Sequence, residues 1–141
     1  FISSTFWSER IGFVAGLATL EYMKKYKTWE KINTTGEYIK KEWLRLSNKY
    51  NLNLNIFGTS GIPQFTFSKK NLIYKTYLTQ EMLKKNILAS NTIYVSISHT
   101  KPILKYYFLC LERVFKDISK KNITRKSVKG KIAFNTFKRL N

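Results

Sequence analysis

With 141 residues, 43% of them hydrophobic and 16% aromatic, the chain can close one hydrophobic core and is too apolar to be an intrinsically disordered segment. A net charge of +18 brings nucleic acid and anionic surfaces into consideration as partners, but no apolar run approaches the roughly 18 residues of a membrane span, and the N-terminus lacks the order of a signal peptide. One cysteine, Cys110, and one histidine, His99, exclude an internal disulfide and a thiolate metal cluster, so that no metal is expected and Cys110 reads as core filler.

The opening run Phe1-Ile2-Ser3-Ser4-Thr5-Phe6-Trp7-Ser8 is rich in hydroxyls and leads into a helix. Ser8 or Thr5 can cap it, Glu9 lies near its positive end, Lys24 and Lys25 lie in its last turn, and Ile11, Val14, Ala15, Ala18 and Tyr22 recur at helical steps. Gly12 and Gly16 stand one turn apart; each costs about 1 kcal/mol against alanine unless another backbone approaches there, which predicts that this helix packs on a partner surface. After a bend at Lys24 to Lys27, Thr28 is expected to cap a second helix with Trp29, Ile32, Gly36, Ile39, Trp43, Leu46 and Tyr50 on one face.

The period then changes to two in Leu52, Leu54 and Ile56, and again in Gln64-Phe65-Thr66-Phe67, around a turn at Gly58-Thr59-Ser60-Gly61. The pattern predicts an antiparallel hairpin with Pro63 at a strand start. A third helix is expected from about Leu72 to Lys85, closed by Asn86, and Ile93-Tyr94-Val95-Ser96-Ile97 reads as a third strand. Thr100 then caps a fourth helix with Ile103, Tyr107, Leu111, Val114 and Ile118 on one stripe. From Ile123 to Asn141 there is no clear period, and an extended basic tail that docks on another surface is expected.

The lysines occur as scattered pairs, Lys24-Lys25, Lys40-Lys41, Lys69-Lys70, Lys84-Lys85 and Lys120-Lys121, and only 5 of the 26 basic residues are arginine. Arginine is the better bidentate reader of phosphate and base edges, so solvated helix faces are expected in place of a specific nucleic-acid surface. A stand-alone basic module for nucleic acid or other anions is the alternative reading.

The hydroxyl-rich opening can serve as an ordinary N-cap or as a phosphate-contacting turn, because the first N–H groups of a helix lack acceptors and the macrodipole is positive there. This turn resembles that of class III aminotransferases of the glutamate-1-semialdehyde aminomutase type, with Thr5 and Gly16 at matching offsets. Two further blocks resemble the same family, Leu78-Thr79-Gln80-Glu81-Met82-Leu83-Lys84-Lys85-Asn86-Ile87-Leu88-Ala89-Ser90 and Tyr94-Val95-Ser96-Ile97-Ser98-His99-Thr100, as does the final Phe137-Lys138-Arg139-Leu140-Asn141. They stand in family order along nearly the whole chain. One departure is Lys101-Pro102 where the family carries acids, a lysine there opposing the macrodipole at a cost of about 0.5 kcal/mol.

The resemblance implies an α+β fold: the C-terminal small domain of a fold-type I enzyme, with a linking helix and a short, mainly antiparallel sheet covered by helices on one face. Residues 1–26 would be the phosphate turn and linking helix, 27–122 the small domain and 123–141 the basic tail. The implied cofactor is pyridoxal 5'-phosphate, held on a lysine in a glycine-rich context with an Asp at its ring nitrogen. No such context surrounds any lysine here, so both residues are expected in a large domain upstream of Phe1, and no catalytic residue is assigned in this chain. Thr5, with Ser4 as companion, is the implied contact to the cofactor phosphate of a neighbouring subunit in a homodimer. Arg139 is a candidate for an anionic substrate group, and His99 is implied to be structural. A C-terminal fragment, inactive alone, is expected in the cytoplasm, with a small amino-group donor or acceptor as the parent enzyme's substrate.

Overall fold

The computed structural model describes residues 9–134. The described chain runs through α1 (Arg10–Tyr26), α2 (Thr28–Lys49), β1 (Leu54–Phe57), β2 (Gln64–Phe67), α3 (Asn71–Leu83) and α4 (Lys101–Lys120), with a 3-10 turn at Arg125–Ser127. This is an α+β architecture of four helices and one antiparallel hairpin.

The hairpin owes its register to the alternation in its sequence. Leu54 stands opposite Phe67 and Ile56 opposite Phe65, so all four apolar side chains share the inner face, while Asn55, Phe57, Gln64 and Thr66 share the outer one. Gly58 makes the turn possible: its φ is +86°, and a Cβ there would strike the Ile62 carbonyl. The helices cover the inner face around Phe65, which is fully buried. Trp43 of α2 meets its ring at 4.8 Å and 70°, and Phe115 of α4 at 6.1 Å and 82°, the edge-on geometry that aromatic quadrupoles favour. Trp43 Nε1–H donates to Tyr107 Oη at 3.0 Å, which gives the buried indole its partner. Cys110 is buried among these residues.

α2 approaches the hairpin loop through Gly36, where any Cβ would overlap the Ser60 carbonyl. Ser60 Oγ–H also donates to Glu37 Oε1 at 2.5 Å. At the other end of α2, Ser47 Oγ–H donates to the Leu52 carbonyl at 2.8 Å and accepts from the Leu54 N–H at 3.4 Å. These bonds tie the start of β1 to the helix. α3 itself ends at Leu83, and the turn that follows closes as expected at Asn86, in the left-handed region with φ 58°. The Asn86 and Ile87 N–H groups donate to the carbonyls of Leu83 and Met82, the paired bonds of a Schellman ending.

The predicted third strand is a correction. Residues 91–95 run antiparallel beside β2, with Gln64 bridged to Thr92, and with the N–H groups of Phe65, Ile93 and Val95 donating to the carbonyls of Asn91, Pro63 and Gly61. A second bridge would require an N–H from residue 63, and proline has none. The residue that reads as a strand start therefore ends the ladder after one bridge. Asn91 compensates at the other end, its Nδ2–H donating to the Phe65 carbonyl at 2.8 Å.

Three further expectations change. Glu9 is the N-cap of α1 and makes no side-chain cap bond, while Ser8 and Thr5 lie outside the described residues. Thr28 is the first residue of α2, preceded by Lys27 in the left-handed region with φ 47°; Thr28 is 4% exposed and caps nothing. The described part of the segment from Ile123 onward docks on its own domain: Ile123 and Val128 are buried, Gln80 exchanges two hydrogen bonds with the Lys129 backbone, and the Ala133 N–H donates to Thr76 Oγ1. Among the described residues, no helix is long and apolar enough to cross a membrane.

Candidate functional site

α1 is the exception to the burial rule. Its 17 residues include none that is buried, and the stretch Ile11 to Leu20 carries no charge. At about 100° per residue, Ile11, Ala15, Ala18 and Tyr22 share one face, and Phe13, Gly16, Leu17 and Leu20 share the opposite one. Phe13, Leu17 and Leu20 are each more than 60% exposed, and nothing lies within 4 Å of a Cβ placed at Gly12 or Gly16. A helix apolar on both faces is one that is covered on both faces.

Where α1 meets α2, a cleft of about 490 Å³ opens, with Ala18, Tyr22 and Met23 on one side, Thr28 and Ile32 on the second and Val95 to Ile97 on the third. Its lining is almost wholly apolar, and Thr28 Oγ1 is buried without a hydrogen-bond partner among the described residues. Leaving a hydroxyl so costs about 1–3 kcal/mol. Sequence reading missed this place because Thr28 looked like a cap; only the left-handed Lys27 turns its side chain inward.

A second cleft, of about 520 Å³, lies between α2 and the start of α4 and is lined by Thr34, Thr35, Tyr38, His99, Lys101, Leu104 and Lys105. His99 Nδ1 accepts the Ser96 N–H at 3.0 Å, and Ser96 Oγ lies 3.2 Å from the same nitrogen. With its lone pair directed at the backbone, Nδ1 is not free to take a hydroxyl proton, and no acid orients the ring. The pair is a local turn contact and no catalytic dyad. In the neutral ring the proton then sits on Nε2.

The residues singled out from the resemblance, Thr5, Ser4 and Arg139, lie outside the described residues. No described lysine is buried, so none has the desolvated setting that turns an ammonium into a nucleophile for a carbonyl cofactor. The described residues therefore do not fit a complete pyridoxal phosphate site. The shifted groups are structural: burial pushes the Tyr107 phenol up, and burial with Glu81 and Asp117 nearby pushes Tyr77 up to about 12. The Lys49 ammonium and the Tyr50 hydroxyl, bonded to Glu112 at 2.6 Å and 3.0 Å, hold its carboxyl below the usual value.

No family model and no curated protein matches the chain. Its fold is that of part of a solved enzyme: the FumI protein of Sphingopyxis sp. MTA144, determined in its pyridoxal phosphate internal aldimine form, superposes on 91% of this chain with a TM-score of 0.75 at 17% sequence identity. The chain spans 33% of that protein's length.

Proposed function

We propose that this chain is the C-terminal small domain of a pyridoxal-phosphate-dependent enzyme of fold type I, an aminotransferase or aminomutase of the glutamate-1-semialdehyde aminomutase type. The observation that carries the reading is the superposition of nearly the whole chain on one third of a larger pyridoxal phosphate enzyme. One feature of this molecule supports it independently of that likeness: α1 presents apolar side chains and two glycines to solvent, beside an apolar cleft against α2. In the proposed reading a preceding large domain covers this surface, with residues 1–26 as the link and residues 27–122 as the small domain proper.

In this reading the cofactor supplies the electron sink for amino-group chemistry, and the lysine and the ring-nitrogen acid that would hold it belong to a preceding large domain. The chain's own part is to wall the substrate pocket, exclude water and carry subunit contacts. Thr5 and Ser4 donate hydroxyls to the cofactor phosphate of a neighbouring subunit, where the α1 N-terminus also favours an anion. Arg139 faces an anionic group of the substrate.

The 141-residue chain alone, incubated with pyridoxal phosphate and borohydride, is expected to show only slow labelling spread over its exposed lysines. Stoichiometric labelling of one lysine would overturn the proposal. In the polypeptide that includes the preceding residues, Thr5→Val is expected to weaken cofactor retention about tenfold, read by dialysis and cofactor absorbance.

A further inference from the structure

The cleft between α2 and α4 plays no part in that reading, and its chemistry is one-sided. Lys101 and Lys105 line it together with His99, and no carboxylate does. Six of the eight acidic side chains of the chain are committed to other cations, in the pairs Lys27–Glu30, Lys40–Glu37, Arg45–Glu42, Lys49–Glu112, Lys84–Glu81 and Lys121–Asp117. Neither Lys101 nor Lys105 has a carboxylate partner among the described residues. The Ser96 contact on Nδ1 leaves the His99 Nε2–H as an unused donor, with no partner among the described residues. α4, 20 residues long, starts at this cleft with no acid in its first turn and no side-chain cap, so its macrodipole adds to the same positive potential.

The rest of the lining is of another kind. Leu104 is buried, and the Tyr38 ring is held edge-on to Phe108 at 5.7 Å and 89°. Together they offer a fixed apolar wall beside the charges. Two ammonium groups, an imidazole N–H and a helix start match a dianion better than a single negative charge, and an apolar wall matches a carbon body attached to it.

We propose that this cleft binds a small phosphomonoester with an apolar or aromatic body, its phosphate lying among Lys101, Lys105 and His99 and its body against Tyr38 and Leu104. The site lies in described residues only and does not depend on the assignment to a pyridoxal phosphate enzyme.

His99 is the only histidine, so its ring gives one set of NMR signals that reports this cleft alone. Titrating the 141-residue chain with phenyl phosphate is expected to shift those signals saturably, while inorganic phosphate shifts them with lower affinity. Lys101→Gln and Lys105→Gln are each expected to weaken binding about fivefold to tenfold. Lys116→Gln removes the same charge elsewhere on α4 and is expected to change it less than about twofold. Tyr38→Ala is expected to abolish the preference for phenyl phosphate over inorganic phosphate. A shift that does not saturate and equals that of sodium chloride at matched ionic strength overturns the proposal. So does an equal loss in Lys116→Gln, or a His99 signal that responds to a single-stranded oligonucleotide and not to phenyl phosphate.

Discussion

α4 and α1 are helices of similar length, 20 and 17 residues, built from similarly apolar sequence, and they end in opposite places. α4 buries eight residues and α1 buries none. The difference lies in how the apolar residues are arranged around the axis. In α4 the charges at Lys105, Glu112, Arg113, Lys116 and Lys120 are kept off the stripe of Leu104, Tyr107, Phe108, Leu111, Val114 and Phe115, which gives the helix one side to bury and one to hydrate. In α1 charges stand only near the ends, and both sides are apolar. Neither side of α1 is buried by the described residues, and in the proposed reading a preceding large domain covers it. This contrast says more about the molecule's assembly than its +18 charge does.

The largest expected effect sets the two helices against each other. Phe115→Ala, which empties a fully buried position in contact with Phe65 and Phe67, is expected to cost about 4 kcal/mol in urea denaturation of the isolated chain. Leu17→Ala, on the exposed face of α1, is expected to change it by less than about 0.5 kcal/mol. A comparable loss from Leu17→Ala would mean that α1 belongs to this core and needs no second body.

The glycines sharpen the same contrast with opposite signs. At Gly36 a methyl group meets the Ser60 backbone, so Gly36→Ala must push α2 off the hairpin loop and is expected to cost about 3 kcal/mol. At Gly16 the space is open, and Gly16→Ala is expected to stabilise the isolated chain by up to about 1 kcal/mol through helix propensity alone. If the proposed large domain covers α1, the sign at Gly16 reverses in a polypeptide that carries that domain, because its surface then occupies the space. Stability curves of both variants, alone and with the preceding residues, decide it.

A smaller effect tests the polar centre of the core. Tyr107→Phe leaves Trp43 Nε1–H buried without its acceptor and is expected to cost about 2 kcal/mol. Trp43 fluorescence should shift with it, since the indole loses its only described hydrogen bond.

The four helices and the hairpin were legible because each is written in a period that burial enforces: two for β1 and β2, three to four for the helices. Asn86 was legible as a stop because asparagine tolerates the left-handed region that a helix ending requires. The third strand was not, although Ile93 to Ile97 has strand composition. Its pairing depends on what its neighbour can donate, and Pro63 donates nothing. Burial at Thr28 was hidden for a related reason, since it follows from the backbone sign of Lys27 and no property of Thr28 itself. In the fourth helix Ile103 was placed on the buried stripe, but it is exposed, while Leu104 and Phe108 are buried; a wide stripe has edges that periodicity alone does not locate. The clefts were invisible for the same reason: Tyr38 and His99 come together only through the packing of α2 against α4. The proposed role of Thr5 with Ser4 at a cofactor phosphate rests on family likeness alone, because a hydroxyl ahead of a helix serves a cap and a phosphate equally well.

The smallest expected effect concerns an ion pair that joins α2 to α4 across the surface. Lys49 and Tyr50 both bond Glu112, and together they hold its carboxyl below the ordinary 4.5. A carboxyl depressed on folding adds stability that is present above its unfolded value and is lost as pH falls through its folded value. The pair is partly solvated, so its contribution is small, about 0.5 kcal/mol. Glu112→Gln is therefore expected to lower stability by about that amount at pH 7 and by progressively less below about pH 4.5, until the variant and the parent chain coincide in acid. α1 supplies the control, because Glu21→Gln lies on a helix with no buried residue and is expected to leave the pH profile of the isolated chain unchanged. A gap for Glu112→Gln that does not narrow as pH falls would mean that its packing between α2 and α4, and no charge, is what the variant removed.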